Sequence, residues 1–140
     1  MAHIIIADDD ELVTELVQEV FLGYGHVVGA VPNGRAALAA IVAKPPDLVI
    51  LDCSMPELGG LMTLRRIRLS KSYYNLPLIM LTANRAKVDV DLAIREGADG
   101  YVKKPFDPHH LVFRAEEIMA EKRMSWPPPA GLPAGSLMVG

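Results

Sequence analysis

The sequence predicts an α/β fold in which a five-stranded parallel sheet carries helices on both faces. Five short apolar runs alternate along the chain with longer segments of helical period. The runs are apolar almost throughout, as expected of strands that are buried on both faces. Five βα units of this length, joined by right-handed crossovers, form one parallel sheet between two helical layers.

The elements are expected in strict alternation. The predicted strands are Ile4–Ala7, Val27–Val31, Leu48–Leu51, Leu78–Leu81 and Tyr101–Val102. The predicted helices are Glu11–Tyr24, Arg35–Ala43, Leu61–Ser70, Lys87–Glu96 and Pro108–Arg123. In the first helix, Leu12, Leu16 and Val20 recur at i, i+4 and i+8, and we expect this stripe to face the sheet.

Turn and cap signals separate these elements. Gly23 and Gly25 end the first helix, and the stretch Pro32–Gly34 turns the chain into the second. Gly97 is expected to cap the predicted helix at 87–96. The acidic residues before Glu11 suit the positive end of the first helix.

Composition favours a cytoplasmic globular domain. The chain of 140 residues is 51% hydrophobic, yet it lacks the roughly eighteen uninterrupted apolar residues of a membrane span. The sequence does not show a basic start followed by a long apolar stretch, so no secretory signal is visible. The single cysteine, Cys53, forbids an internal disulfide and fits a reducing compartment. A formal charge of −3 without Lys/Arg runs argues against direct nucleic-acid binding.

The composition changes near the end of the sequence. From Ser125 the chain has the sequence SWPPPAGLPAGSLMVG, which is rich in proline, glycine and small residues. Such a composition favours a linker or flexible tail. We therefore predict a domain at residues 1–123 followed by a tail at 124–140. Trp126 could dock on the domain, but we expect it to be loosely held in the tail.

Polar residues follow the ends of four predicted strands. Asp8 and Asp9 follow the first, Asp52 the third, Thr82 the fourth and Lys104 the fifth. Ligands of open α/β sheets bind outside the carboxyl ends of the strands, so these side chains are expected to converge. An acidic turn into the first helix is the alternative explanation of the aspartates.

The chemistry of these groups points to phosphate and a hard cation. Carboxylate oxygens suit Mg²⁺, which also accepts phosphate oxygens, and a cation would offset the repulsion among the aspartates. A carboxylate can also attack phosphorus and form an aspartyl phosphate. Lys104 would then neutralise charge on the transferring group, and Thr82 would donate to it. The sequence has no Walker loop, no GxGxxG after the first strand and no His/Cys metal spacing.

Four stretches, in order, resemble the response-regulator receiver (CheY-like) family. They are IIIADDDELV, VILDCSMPELGGL, LIMLTA and GADGYVKKPF, and the resemblance covers residues 3–123. It implies a flavodoxin-like doubly wound sheet of strand order 2-1-3-4-5. It also implies a phosphorylation-controlled signalling domain of a two-component phosphorelay rather than an enzyme, with self-phosphorylation from small phosphodonors and self-dephosphorylation.

By this resemblance each matching residue receives a role. Asp52 would be the phosphoacceptor, and Mg²⁺ would be held by Asp9, Asp52, the backbone carbonyl of Ser54 and, through water, Asp8. Thr82 and Lys104 would contact the phosphoryl group, Tyr101 would be the switch aromatic, and Pro105 would follow a cis bond. Ser54 and Asn84 would border the path of the hydrolytic water. The implied partners are a sensor histidine kinase or a histidine phosphotransfer protein, and an unknown downstream target or output domain.

Two other functions remain open at this stage. One is a phosphate-independent interaction domain on the same fold. The other is a flavodoxin-like cofactor binder, which would need a Ser/Thr/Gly-rich loop where this chain has aspartates. Phosphorylation is favoured because Asp9, Asp52, Thr82 and Lys104 are all present.

Several residues have simpler expected roles. We expect Cys53 to be a small core residue and His109 and His110 to be solvated residues at a helix start. Gly59 replaces the Asp or Asn usual in the family. In the branch with winged-helix DNA-binding outputs, acidic residues are typical at the positions of Gly100 and His110. This chain has no acid at either position, which argues against that branch.

Overall fold

A computed structural model describes residues 1–82 and 94–127 of the chain. Within them, five strands form one parallel sheet in the order β2-β1-β3-β4-β5. The strands are β1 (His3–Ala7), β2 (Val27–Val31), β3 (Leu48–Asp52), β4 (Leu78–Thr82) and β5 (Gly100–Lys103). The predicted fold class and strand order are confirmed.

The helices that the structure describes agree closely with the prediction. They are α1 (Glu11–Gly23), α2 (Gly34–Ala43), α3 (Gly60–Leu69) and α4 (Pro108–Glu121). Side chains of Asp10, Asn33 and Asp107 accept backbone N–H groups at the starts of α1, α2 and α4, as preferred helix caps do. Of the helix predicted at 87–96, residues 94–96 are helical and the rest lies outside the described residues.

Apolar clusters cover both faces of the sheet. Helices α2 and α3 pack on one face through residues such as Leu38 and Leu64, and α1 and α4 cover the other through residues such as Phe21 and Leu111. All five residues of β3 and of β4 are buried. The uninterrupted apolar runs are therefore explained by burial on both faces.

The predicted core face of α1 is wrong at Leu12 and Leu16, although Val20 does pack, partly buried, against the core. Leu12 and Leu16 are 78% and 46% exposed, whereas Thr14, Val17 and Phe21 are buried. The buried stripe thus follows i, i+3 and i+7, and its first member is polar. Thr14 tolerates burial because its hydroxyl donates to the Glu11 carbonyl at 3.1 Å, so a pattern of apolar residues alone gives the wrong helical phase.

The expectation of a loosely held Trp126 is also wrong. Its side chain packs on the domain and is only 7% exposed. The indole N–H donates to the Pro46 carbonyl. A composition rich in proline does not predict this contact. The predicted boundary after residue 123 otherwise stays a prediction. In the described part of the chain, no helix has the length and apolarity needed to cross a membrane.

Strand register brings the predicted polar residues to one edge of the sheet. Ala7 lies beside Leu51, Asp52 beside Leu81, and Thr82 beside Lys103. The residues that end or follow these strands therefore share the carboxyl edge, where ligands bind in such sheets.

Candidate functional site

Three carboxylates meet at the carboxyl edge of the sheet. Oxygen atoms of Asp8, Asp9 and Asp52 all lie within 4.8 Å of one another. Asp8 and Asp52 are only 3% and 6% exposed, whereas Asp9 is exposed. A cluster of this charge needs a cation, because buried carboxylates lose their hydration and repel one another.

Lys104 supplies part of that positive charge. Its Nζ lies 2.8 Å from Asp8 Oδ2 and 3.4 Å from Asp52 Oδ2. The lysine follows β5, and its backbone N–H donates to the Thr82 carbonyl at 2.7 Å. The predicted convergence of strand-end residues is thus present as direct contacts. The bond between Lys104 and Pro105 is cis, as the family resemblance implied.

In the turn after β1, Asp10 has a different role from Asp8 and Asp9. The backbone N–H of Asp8 donates to the Val31 carbonyl, and the N–H of Asp10 donates to Asp8 Oδ1 at 2.9 Å. Asp10 points away from the cluster, because its carboxylate accepts the N–H of Leu12 and caps α1. The acidic-turn explanation therefore fits Asp10, whereas Asp8 and Asp9 join the cluster.

The loop between β3 and α3 is tightly constrained. Glu57 and Leu58 have positive φ angles of 45° and 83°, a conformation that is unfavourable for bulky side chains. The N–H of Gly34 holds the loop by donating to the Leu58 carbonyl at 3.1 Å. A Cβ at Gly60 would collide with the Asp52 carbonyl oxygen. This close packing was not predicted from the sequence, although the glycine pair at 59–60 was a signal for it.

Gly59 affects how α3 begins. It lies at the cap position of α3, which therefore has no side-chain cap. The hydroxyl of Thr63 instead donates to the Gly59 carbonyl at 2.9 Å. The loop before α3 thus relies on backbone packing rather than on an acidic or amide side chain.

The pKa values of the cluster reflect burial and mutual repulsion. Burial first, and then the charge of Asp8, raise the pKa of Asp52 to about 6, although Lys104 and the N–H of Ser54 oppose the shift. For Lys104, burial acts to lower the pKa, but hydrogen bonds and charge from Asp8 and Asp52 outweigh it and the net shift is upward. Lys104 is therefore a permanent cation, and the carboxylate of Asp52 is destabilised.

Thr82 adds a hydroxyl that is ready to bond. It is completely buried, and its Oγ1 has no hydrogen-bond partner among the residues that the structure describes. Buried hydroxyls are normally paired, so this group favours a ligand at the carboxyl edge. Tyr101, on β5, is exposed.

The remaining predicted residues lie outside the cluster. Cys53 is partly buried against the apolar residues under α2 and α3. His109 is exposed and its Nδ1 lies 2.8 Å from the hydroxyl of Tyr24; His110 is exposed as well. Asn84 is outside the described residues.

Fold and site together define a class, a doubly wound α/β domain with an acidic pocket at its carboxyl edge. Residues 4–116 match the family described as the response regulator receiver domain. The chain belongs to this family, and it is a signalling domain of two-component systems.

Relatives and solved structures agree with this assignment. The transcriptional regulatory protein CseB of Streptomyces avermitilis is 38% identical over 117 residues, which cover 84% of this chain and 48% of CseB. The DNA-binding response regulator MtrA of Mycolicibacterium smegmatis is 38% identical over 112 residues, covering 80% of this chain and 48% of MtrA.

Two crystal structures share the fold. A response regulator from Chloroflexus aurantiacus has a TM-score of 0.82 at 34% identity, covering 85% of this chain and 98% of that one. The receiver domain of NtrX from Brucella abortus has a TM-score of 0.78 at 31% identity, covering 84% and 98%.

The chain spans about half the length of the curated relatives it matches. Their names describe transcriptional or DNA-binding regulators. The expectation from Gly100 and His110, that this chain lies outside the branch with winged-helix DNA-binding outputs, stays a prediction.

Proposed function

We propose that Asp52 accepts a phosphoryl group from the phosphohistidine of a sensor histidine kinase or a histidine phosphotransfer protein. A carboxylate oxygen of Asp52 attacks phosphorus, the phosphorus–nitrogen bond breaks, and the electron pair returns to the donor imidazole. One observation carries the proposal: the buried Asp52 carboxylate lies 3.4 Å from the Lys104 ammonium. Beside it, β4 ends in Thr82, whose hydroxyl has no hydrogen-bond partner among the described residues.

The oxygen-rich donor set fits Mg²⁺. Asp8, Asp9 and Asp52 would hold the ion together with the backbone carbonyl of Ser54, since Mg²⁺ prefers hard oxygen ligands and keeps several waters. Oxygens of the three carboxylates lie within 4.8 Å of one another, and Asp9 is exposed to solvent. When bound, the ion supplies positive charge that offsets charge on the transferring phosphoryl group.

Thr82 and Lys104 would bind the phosphoryl oxygens. The hydroxyl of Thr82 has no competing partner in the described structure, and the Lys104 ammonium already lies at the Asp52 carboxylate. Bonds that exist only in the phosphorylated state shift a two-state equilibrium. We infer that Thr82 moves towards the phosphate and that Tyr101 then packs inward, which changes the partner-binding surface of the domain.

Phosphotransfer from acetyl phosphate tests the proposal directly. The full chain incubated with acetyl phosphate and Mg²⁺ should gain the mass of one phosphoryl group, and Asp52→Asn should gain none. Asp47→Asn is the matched control, because Asp47 lies just before the opposite end of the same strand; it should be phosphorylated normally. Full phosphorylation of the Asp52→Asn protein would mean that another residue is the acceptor.

A wild-type chain that folds and takes no phosphate would favour the phosphate-independent interaction domain. The proposed switch has its own test, since Thr82→Ala should still be phosphorylated but should lose the change in amide NMR shifts around Tyr101. Equal changes in both proteins would refute the coupling. With a kinase as donor, we place this function in the cytoplasm.

A further inference from the structure

The chain continues to pack on the domain beyond the end of α4. Trp126 is buried, and its Nε1 donates to the Pro46 carbonyl at 3.0 Å. The indole packs against the ring of Tyr73, and the two ring centroids are 6.2 Å apart. Met124, two residues earlier, is 97% exposed. The segment therefore packs specifically, because it buries Trp126 and leaves Met124 in solvent.

A second attachment lies in the turn before the tryptophan. Lys122 Nζ lies 2.8 Å from Asp99 Oδ1 and donates to the Asn75 carbonyl at 3.2 Å. The other oxygen of Asp99 accepts the N–H of Leu78 at 2.9 Å and a guanidinium N–H of Arg68 at 3.1 Å. All three charged side chains are mostly buried, so Lys122 completes a network inside the domain rather than a surface ion pair.

Both attachments are at the amino edge of the sheet. Pro46 lies just before β3, Leu78 begins β4, and Asp99 lies just before β5. Asp52 and Thr82 lie at the other ends of β3 and β4. The backbone links the two attachments, because the N–H of Trp126 donates to the Lys122 carbonyl at 2.9 Å.

We propose that residues 122–127, the C-terminal anchor, are an intramolecular docking segment that fixes the point at which the chain leaves the domain. A polar contact at one end and a buried indole at the other hold the segment in one place. Pro127 is therefore held near the start of β3, opposite Asp52, and any region joined after it begins at that point rather than at the end of α4. This inference stands independently of phosphorylation at Asp52.

Limited trypsin digestion of the full chain measures docking, because Lys122 and Arg123 are cleavage sites within the anchor. Cleavage there follows the population of the undocked segment. Trp126→Ala removes a large buried side chain, so we expect cleavage after Arg123 to become at least about tenfold faster. Leu12→Ala, at an exposed residue of α1 that is not part of the cleavage site, should leave the rate unchanged. Wild type cleaved as fast as Trp126→Ala would overturn the proposal.

Fluorescence of the unmodified protein gives a second measurement, since Trp126 is the single tryptophan of the chain. Its emission should lie to the blue of free tryptophan and resist quenching by acrylamide. Trp126→Phe keeps an aromatic ring against Tyr73 but loses the donor to Pro46, and should give an intermediate cleavage rate. If Trp126→Ala unfolds the whole domain, the quenching result still decides: an indole quenched like free tryptophan in wild type refutes the anchor.

Discussion

Replacing Asp52 by asparagine should stabilise the protein in metal-free buffer. The buried carboxylate has a pKa of about 6 against a usual value of 3.8, first because burial removes its hydration and then because Asp8 lies beside it. A carboxyl group with a raised pKa in the folded state is destabilised when it ionises. The penalty is absent below pH 3.8 and reaches its full size above about pH 6. Asparagine has a similar shape and cannot ionise, so it avoids the penalty.

The expected size follows from the shift. One pKa unit corresponds to about 1.4 kcal/mol, so the move from 3.8 to about 6 corresponds to at most about 3 kcal/mol. Solvent screening and the lost contact with Lys104 reduce the expected gain to about 1–2 kcal/mol.

Urea unfolding in EDTA provides the assay. At pH 8 the Asp52→Asn protein should show the full gain in free energy of unfolding over wild type, and the gain should shrink as the pH falls from 6 towards 4. Asp9→Asn, at the exposed carboxylate, should change stability by no more than about 0.5 kcal/mol at pH 8. An Asp52→Asn protein that is no more stable than wild type at pH 8 would refute the claim that ionised Asp52 is destabilised.

Further predictions concern single residues elsewhere in the sequence. Asp9→Asn should weaken Mg²⁺ binding and phosphorylation together, and titration calorimetry with an unchanged affinity for Mg²⁺ would remove Asp9 from the site. Gly60→Ala should cost about 1–3 kcal/mol in urea unfolding, because its Cβ would collide with a backbone carbonyl. Gly23→Ala, where no atom lies within 4 Å, should instead stabilise by about 0.5–1 kcal/mol. Asn84→Tyr should slow the loss of phosphate after the donor is removed, because a larger side chain would shield the path of the hydrolytic water; an unchanged or faster decay would place Asn84 away from that path.

The sheet was predictable because burial on both faces leaves a plain signal in the sequence. The apolar run of β3 ends at Asp52, so both the strand and the end that carries the acidic residue could be predicted. The meeting of Asp8, Asp52 and Lys104 followed from topology alone, since parallel strands place their carboxyl ends together. Residues far apart in the sequence could thus be assigned to one pocket before any distance was known.

The failures have physical causes that a one-dimensional pattern does not record. The phase of α1 depends on buried Thr14, whose hydroxyl is satisfied within its own helix. The docking of Trp126 depends on a carbonyl 80 residues away in the chain. The left-handed backbone at Leu58 depends on a hydrogen bond from Gly34. The first is a bond within one helical turn and the other two are tertiary contacts, and none of them has a period in the sequence.

The charges at the carboxyl edge explain why Lys104 and the proposed metal ion would not be redundant there. Lys104 is closer to Asp8, at 2.8 Å, than to Asp52, at 3.4 Å, so one ammonium is shared between two buried carboxylates. A phosphoryl group on Asp52 brings a charge of about −1.5 to −2 into the same space. If Lys104 turned to that group, Asp8 would be left buried with its charge uncompensated, which is costly. A cation held by Asp8 and Asp9 would remove this conflict and would leave Lys104 to bind the phosphoryl oxygens, so phosphorylation at Asp52 should require both positive charges at once.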